Sequence, residues 1–386
     1  MTEAFTSSPL FERVERARRR KSKLKDTHIT LAHGSGGRAM HELVEGLFLE
    51  YLRNPLLEKL EDQAVFEING INGEAAPDHL SALGHSFARG PTKLAFTTDS
   101  YVVDPIFFPG GDIGKLAVNG TVNDLCVSGA RPLYLSAGFI LEEGFPIEDL
   151  KRILASMRAA AEEACVRVVT GDTKVVQRGS ADKIFINTSG IGVIESPINI
   201  SATRAEVGDT VIVSGMIGDH GTTIMIARGE LELETDIESD SAPLNSLVRD
   251  MINEAMRLGQ PDGIHTLRDP TRGGVATTLN EISASSEVYI EIYEERIPVR
   301  EEVKGACEIL GLDPLYVANE GRLIAIVSAD IAEAIISRMK QNIYGRDACI
   351  IGEVKAEPQG IVAMRTGFGG TRIVDMLVGE QLPRIC

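Results

Sequence analysis

The chain has 386 residues, of which 43% are hydrophobic, and a formal net charge of −17. This length predicts two domains, the composition fits an α/β or α+β protein, the charge argues against a nucleic acid partner, and no apolar run is long enough to span a membrane. Its five cysteines form no CxxC pair, and no apolar signal segment follows the basic N-terminus, so we expect a cytoplasmic protein with reduced thiols.

Residues 1–26 differ in composition from the rest, because Arg and Lys fill most positions from Arg13 to Lys25. We interpret this stretch as a solvated, partly helical extension, and a docking arm for an acidic partner is the alternative. The predicted boundaries are 1–26 for this basic extension, 27–200 for an N-terminal domain, 201–360 for a C-terminal domain and 361–386 for a mobile tail.

In the first half, short apolar runs alternate with helical repeats. The predicted elements are a strand at Lys93–Thr97 ending in Thr98-Asp99-Ser100, a glycine-rich loop at 108–112, a helix from Ile113 towards Val127, a strand at Leu133–Leu141, a helix over Leu150–Ala164, a strand at Val166–Val169 running into Gly171-Asp172-Thr173-Lys174, and a strand within Ile184–Ile194.

The second half restarts after Pro197 and a polar stretch, which mark a domain boundary near 196–208. The predicted elements are a strand at Thr210–Val213, a turn at Gly215–Gly221, an acidic loop at Glu230–Asp240, a helix over Leu244–Ala255, and strands at Val288–Ile292 and Leu323–Val327.

Four aspartates of the first half recur beside glycines and small polar residues, at what we predict to be strand ends and tight turns. They are Asp99, Asp112, Asp124 and Asp172. Mg²⁺ prefers oxygen ligands and commonly bridges a few carboxylates to substrate phosphates, so the recurrence predicts a metal–nucleotide site. The alternative for any single aspartate is a turn or a helix cap.

Further motifs offer groups that such a site would need. The loop His33-Gly34-Ser35-Gly36-Gly37 presents backbone N–H groups that suit phosphate, although it has neither P-loop nor Rossmann spacing. Lys174 follows Asp172 by two residues, so both side chains would face one side of a strand. Glu320 precedes a strand as a candidate base or metal ligand, and Cys386 would be a reachable nucleophile or acyl carrier.

Together these motifs resemble the HypE family of carbamoyl dehydratases, within the superfamily of aminoimidazole ribonucleotide synthetase. The resemblance covers residue 28 to the C-terminus and leaves the basic extension outside. The stretches that carry it are 107–114, 119–124, 171–176, Gly218-Asp219-His220-Gly221, Asp269-Pro270-Thr271-Arg272-Gly273-Gly274 and Pro383-Arg384-Ile385-Cys386, of which the last is specific to this family.

The resemblance implies a two-domain PurM-like α+β fold whose N-terminal domains pair in a homodimer around a shared β-barrel. ATP and Mg²⁺ would be bound near the dimer interface. A carbamoyltransferase, HypF, would load Cys386, and ATP-dependent dehydration would convert the thiocarboxamide to a thiocyanate. The nitrile would pass to iron on a HypC–HypD complex, for a nickel–iron hydrogenase.

The resemblance and the motifs assign residues to catalysis, to metal binding and to ATP binding. Cys386 would carry the substrate, Lys174 would contact the γ-phosphate and Glu320 would remove the amide proton. The metal ligands would be Asp99, Asp112, Asp124 and Asp172. The residues that bind ATP would be His33, Gly34, Ser35, Gly36, Gly37, Asp99, Gly111, Asp112, Lys115, Asn123, Gly171, Thr173, Asp219 and Arg272.

Two other functions remain open from the residues. One is a superfamily enzyme with a diffusible substrate, such as selenophosphate synthetase, thiamine-monophosphate kinase or the purine synthetase, which would not need Cys386. The other is a carrier that displays Cys386 to partners without catalysis, in which the acidic loops would be structural.

Overall fold

The computed structural model describes residues 27–68, 92–195, 197–231, 235–379 and 384–386. The basic extension 1–26 and Pro383 lie outside these ranges. No helix of the described residues is long and apolar enough to cross a membrane.

The N-terminal half is built on a five-stranded sheet with the strand order β1-β2-β7-β5-β6. Its outer strand β6 pairs in parallel with β5, and with no other strand in the described part of the chain. The strands are β1 (Ala64–Ile68), β2 (Thr92–Tyr101), β5 (Arg131–Glu142), β6 (Arg167–Val176) and β7 (Ile184–Ile194), and a small hairpin consists of β3 (Phe107–Phe108) and β4 (Gly111–Asp112).

The helices before and against this sheet are α1 (Arg38–Leu43), a π-helical turn (Val44–Phe48), α2 (Leu49–Leu52), α3 (Ile113–Val127) and α4 (Ile147–Glu163), with 3-10 turns at Leu31–Gly34 and Leu57–Lys59. Burial along β7 alternates strictly, so one face of the sheet packs on α3 and the other stays accessible. Helix α3 is buried almost all round because it lies between the sheet, α4 and the C-terminal half.

The C-terminal half is built on a seven-stranded sheet with the order β14-β13-β10-β12-β8-β11-β9. The strands are β8 (Thr210–Val213), β9 (Ile264–Arg268), β10 (Tyr289–Tyr293), β11 (Ile324–Val327), β12 (Cys349–Lys355), β13 (Ile361–Arg365) and β14 (Thr371–Val374), and the helices are α5 (Asp219–Ala227), α6 (Asn245–Arg257), α7 (Gly274–Ser285), α8 (Glu301–Leu310) and α9 (Ala329–Met339), with 3-10 turns at Glu294–Arg296 and Pro314–Tyr316.

The central strands of this sheet are buried on both faces. Ile212 points into a core with α6 and α9, whereas Val211 and Val213 point into a second core with α7. Such strands read as continuous apolar runs, and the predicted strand Thr210–Val213 is confirmed at the same residues.

Two predictions about the chain's course are wrong. Residues 361–374 are not part of a mobile tail, because β13 and β14 pair within the C-terminal sheet. Asp99 and Asp172 do not lie at strand ends, because β2 and β6 continue past them to Tyr101 and Val176. The helix from Ile113 to Val127 is confirmed, and the domain limits 27–200 and 201–360 stay predictions.

Candidate functional site

Residues 384–386 lie along the segment Val102–Asp104, which follows β2, and we call this binding position the seat. The backbone N–H of Val102 donates to the main-chain oxygen of Cys386 at 2.9 Å, and that of Asp104 donates to the Arg384 oxygen at 3.2 Å. The Cys386 side chain is 8% exposed and joins the apolar cluster of the N-terminal half. The candidate carrier cysteine is therefore held inside the molecule.

Three polar residues surround this cysteine. Burial raises the pKa of the Cys386 thiol, Arg272 opposes that rise, and the charges of Glu320 and Asp99 add to it. The thiol is consequently protonated at neutral pH and is a poor nucleophile in this position.

Glu320 is fixed by its main chain and leaves its carboxyl group inside the protein. Its N–H donates to Asp240 Oδ1 at 3.0 Å, and Asn123 Nδ2 donates to its carbonyl at 3.2 Å. Its Oε1 is buried without a hydrogen bond to any described residue. Burial, followed by the charges of Asp99 and other carboxylates, raises the Glu320 pKa well above its usual value.

An acidic pocket of about 570 Å³ adjoins the seat. Asp99 and Arg272 line the pocket and also act on Cys386, so the two spaces are neighbours. Its other charged lining residues are His41, Glu61, Asp62, Asp124, Arg268, Asp269 and Glu281. Thr97 donates to Asp124 at 2.8 Å, and Arg268 pairs with Asp62 at 2.9 Å and with Glu281 at 2.5 Å.

Negative charge exceeds positive charge in this pocket. Removal from water raises the pKa of Asp62 to about 8 and that of Asp269 to about 6, each with contributions from neighbouring carboxylates. The pKa of Asp124 is raised well above normal by burial and by Asp269, Asp99 and Asp62. A cation in the pocket would relieve this repulsion.

Sequence reasoning missed Asp62 and Arg268 and gave Asp269 no role. The available signals were the carboxylate pair Glu61-Asp62 directly before β1 and a lone arginine at the end of the buried strand β9. Both lie far in sequence from Asp99, so that only the fold brings them together.

The four predicted metal ligands do not converge within one chain. Asp112 caps α3, accepting from Gly114 N and Lys115 N at 2.7 and 3.0 Å, and it lies roughly 18 Å along that helix from Asp124. Asp172 is level with Ser100 across three strand spacings, about 14 Å away. Asp99 and Asp124 alone of the four line the acidic pocket.

Gly171, Asp172, Thr173 and Lys174 lie on the exposed edge strand β6. Lys174 Nζ donates to Asp172 Oδ2 at 2.6 Å, which confirms that both side chains face one side. The hydrogen bond from Lys174 lowers the Asp172 pKa. Within one chain these residues are three strands from the Cys386 seat.

The loop 33–37 mainly contacts Arg272 and the segment 377–379. The Arg272 side chain donates to the Gly34 carbonyl at 2.9 Å, Ser35 Oγ donates to the Gly379 carbonyl, and Gly37 packs on the Leu377 carbonyl. His33 is buried and bonds Thr30. From this loop Gly36, in the left-handed region at φ +75°, lines the acidic pocket.

The remaining predicted ATP ligands make contacts elsewhere. Lys115 Nζ donates to the Gly110 carbonyl, and Gly111 packs on Phe108. Asn123 donates to the carbonyls of Ala242 and Glu320, and Asp219 pairs with Arg300 at 3.0 Å and with Arg322 at 3.6 Å. Of the predicted set, Arg272, Asp99, Asp124 and Gly36 meet at the pocket beside Cys386 and Glu320.

The acidic pocket fits a nucleotide-bound divalent cation better than an all-protein metal cage. No three His, Cys, Asp or Glu side chains in the described part of the chain are placed to hold a metal ion by themselves. Mg²⁺ usually keeps one or two carboxylates and completes its shell with phosphates and water, and the mutual repulsion of Asp62, Asp124 and Asp269 favours such a cation.

Comparisons with known proteins agree on one family. Two domain models match: AIR synthase related protein, N-terminal domain, over residues 82–194, and its C-terminal domain over residues 206–365. Carbamoyl dehydratase HypE of Bradyrhizobium diazoefficiens is 50% identical over 371 residues, covering 96% of this chain and 100% of that protein.

Solved structures give the same result for the fold. A chain of a HypE–HypF complex is 49% identical with a TM-score of 0.76, covering 87% of this chain and 99% of that one. The hydrogenase maturation protein HypE in complex with ATP is 49% identical with a TM-score of 0.73, covering 93% and 100%. The expected two-domain PurM-like α+β fold is confirmed.

Proposed function

This chain belongs to the HypE family of carbamoyl dehydratases, and we propose that it uses ATP to convert a carbamoyl group on Cys386 into a thiocyanate. The observation that carries this proposal is the juxtaposition of a buried Cys386 with Glu320 and Arg272, next to an acidic pocket of about 570 Å³. A substrate carried on this sulfur would be enclosed between a base and a nucleotide pocket.

The chemistry requires activation of a poor leaving group. The amide oxygen of Cys–S–C(=O)–NH₂ would accept the γ-phosphoryl group of ATP, which gives ADP and Cys–S–C(OPO₃)=NH with the loss of one N–H proton. Loss of the second N–H proton and of phosphate would then leave Cys–S–C≡N. Glu320 is the proposed acceptor of a proton, because its Oε1 is buried near Cys386 without a hydrogen bond to any described residue, in a site closed to water.

Asp62, Asp99, Asp124 and Asp269 are the proposed candidates to hold Mg²⁺ with ATP, with one or two of these carboxylates contacting each ion. Bound Mg²⁺ would supply charge neutralisation for the triphosphate. Arg272 would place a fixed positive charge beside Cys386 and the pocket, where negative charge develops on the transferred group.

Lys174 needs a second subunit to fulfil its predicted role. The accessible face of the N-terminal sheet carries large apolar side chains, such as Phe96, Tyr134 and Ile140, each more than 40% exposed, and the edge strand β6 is exposed along its length. Pairing of two copies through these surfaces would bury them and form the implied shared barrel. We propose that Lys174 and Asp172 of the partner subunit contact the nucleotide.

Loading of Cys386 requires a second position of the chain end. In the seat the thiol is buried and protonated, so it cannot attack an activated carbamoyl donor there. We propose that the end leaves the seat to meet HypF, returns for dehydration, and leaves again to deliver the nitrile to the HypC–HypD iron complex. Structures of HypE with HypF are consistent with the first partner.

The competing functions differ in how they use Cys386. A superfamily enzyme with a diffusible substrate would not need a cysteine at this position, and a non-catalytic carrier would not need Glu320 beside it. The burial of the sulfur next to Glu320 favours the dehydratase over both.

The test is mass spectrometry of the C-terminal peptide. The purified protein is carbamoylated, by the transferase or mildly with cyanate, and incubated with Mg·ATP. We expect carbamoylated Cys386 to lose one water, and we expect no loss without ATP or in Lys174→Ala. A carbamoyl group that persists on Cys386 while ATP is bound and the protein is folded would exclude the dehydratase.

A further inference from the structure

The motif Gly218-Asp219-His220-Gly221 places a fully buried histidine at the start of α5, and the proposed chemistry does not use it. His220 Nε2 lies 2.8 Å from the carbonyl oxygen of Ile385, and Nδ1 lies 2.8 Å from Ser239 Oγ. The histidine therefore contacts the residue directly before the carrier cysteine.

The surroundings fix how this histidine bonds. Burial lowers the His220 pKa, so the ring is neutral. Because a carbonyl only accepts, Nε2 carries the proton and donates to Ile385, while Nδ1 accepts from the Ser239 hydroxyl. Ser239 is itself held, since its N–H donates to the Pro109 carbonyl at 3.0 Å.

The other polar contacts around the chain end also address the main chain or Arg384. Arg228 donates to the carbonyls of Asp104 and Arg384, Arg384 pairs with Asp182, and Val102 donates to the Cys386 main-chain oxygen. The Ile385 side chain is buried in the apolar cluster. Among the described residues no hydrogen bond reaches Cys386 Sγ.

We propose that His220 is a positioning residue that latches the chain end in its seat through the Ile385 carbonyl, whatever group the Cys386 sulfur carries. Because His220 bonds a main-chain carbonyl and not the sulfur, it can hold the chain end whether Cys386 is free, carbamoylated or converted to the thiocyanate. The buried Ile385 side chain and Arg384 give it selectivity for this particular end.

The same loop contacts both His220 and the proposed base Glu320. Ser239 orients His220, and the adjacent Asp240 accepts the N–H of Glu320 at 3.0 Å. One short loop thus sets both the position of the carrier and the position of the carboxyl group beside it. The purpose of the latch rests on the proposed dehydratase function, whereas the contact itself does not.

Thiol labelling of the full-length protein tests the latch without turnover. N-ethylmaleimide labelling of each cysteine is followed by peptide mass spectrometry in wild type, His220→Ala and His220→Gln. The exposed Cys165 and the buried Cys126 are internal controls. We expect the Cys386 labelling rate to rise about tenfold in His220→Ala, because a buried carbonyl loses its donor, with Cys126 still protected.

The glutamine variant separates latching from general packing. Its amide N–H can replace Nε2–H, so we expect labelling of Cys386 closer to the wild-type rate than in His220→Ala. If His220→Ala also exposes Cys126, Ser239→Ala replaces it, since that variant leaves the ring in place and frees its orientation. An unchanged Cys386 rate in the variant that keeps Cys126 protected would overturn the latch.

The outcome is separable from that of the dehydratase test. Faster labelling without any dehydration of carbamoylated protein would retain the latch and reject the proposed function. Dehydration with no change in labelling would do the reverse.

Discussion

The seat of Cys386 and the edge strand β6 both carry ionisable side chains, but the seat is buried and the edge strand is exposed to solvent. The seat holds a cysteine, an arginine and carboxyl groups in the protein interior, where burial raises the pKa values of Cys386 and Glu320. The edge strand holds Asp172 and Lys174 in solvent, where the hydrogen bond from the lysine lowers the aspartate pKa. The interior thus favours the protonated forms of Cys386 and Glu320, whereas the solvent-exposed edge favours the ionised form of Asp172.

The difference follows from strand order. Strand β2 lies next to β7 inside the sheet, and its end is covered by residues 384–386. Among the described strands, β6 is the last of the sheet and has one edge without a partner. The electrostatic environment of an aspartate on these strands is therefore set by the position of its strand in the sheet.

The largest expected effect comes from the interior. Glu320→Gln keeps the shape of the side chain but removes the proton acceptor, so dehydration of carbamoylated Cys386 should slow by about 10²- to 10⁴-fold. Single-turnover assays followed by peptide mass spectrometry measure this rate. The exposed Glu333→Gln on α9 is the matched control and should behave as wild type. An active Glu320→Gln variant would remove Glu320 from the chemistry.

Mixed dimers test whether the two regions form one site across subunits. Lys174→Ala and Glu320→Gln chains should each be inactive alone. If Lys174 acts on the partner's site, random mixing should restore about a quarter of wild-type activity, since half the dimers then contain one intact site of two. Recovery is measured after subunit exchange against each variant alone. No recovery, with dimers formed, would place Lys174 in its own chain's site or outside catalysis.

The number of protons released on Mg·ATP binding tests whether the buried pocket holds protonated carboxyl groups, unlike the exposed surface. The Asp62 pKa of about 8 leaves this group mostly protonated at pH 7, and a bound cation would lower it. Binding should therefore release protons, and affinity should increase as pH rises towards 8. Calorimetry in buffers of different ionisation enthalpy should detect about one proton fewer in Asp62→Asn.

A carboxylate away from the pocket provides the control for that measurement. The hydrogen bond from Arg257 lowers the pKa of Glu254 and leaves it ionised at pH 7, so Glu254→Gln should leave the number of released protons unchanged. Equal proton release by wild type and Asp62→Asn would contradict a cation at Asp62.

The smallest effect is expected at the far end of α3. Asp112→Ala removes the helix cap and should lower the free energy of unfolding by about 1 kcal/mol, without weakening Mg·ATP binding. Asp112→Asn retains an acceptor and should restore most of the stability. Denaturant unfolding and titration calorimetry measure the two quantities. A tenfold loss of Mg·ATP affinity in Asp112→Ala would instead support the predicted metal role.

Much of the local structure followed from sequence because it depends on near neighbours. Helix α3 begins at Ile113 and ends at Val127, as predicted. Its start depends on the capping side chain of Asp112 and its length on a largely apolar run, and both are local signals. The prediction for residues 361–386 was wrong over β13 and β14, because their glycine-rich connection resembles a flexible segment, whereas β13 pairs with the distant strand β10 and β14 pairs with β13.

The sequence by itself determined the family, many of the elements and several residues with suitable chemistry, including Cys386, Glu320, Arg272, Asp99 and Asp124. The tertiary structure decided which of them meet, since Asp62, Asp99, Asp124 and Asp269 come from separate elements that the fold brings to one pocket. It also decided protonation and access, because burial of Cys386 and Glu320 depends on atoms distant in sequence. Residue type specifies which reactions are possible, and position in the fold sets the local dielectric and the charged neighbours that select among them.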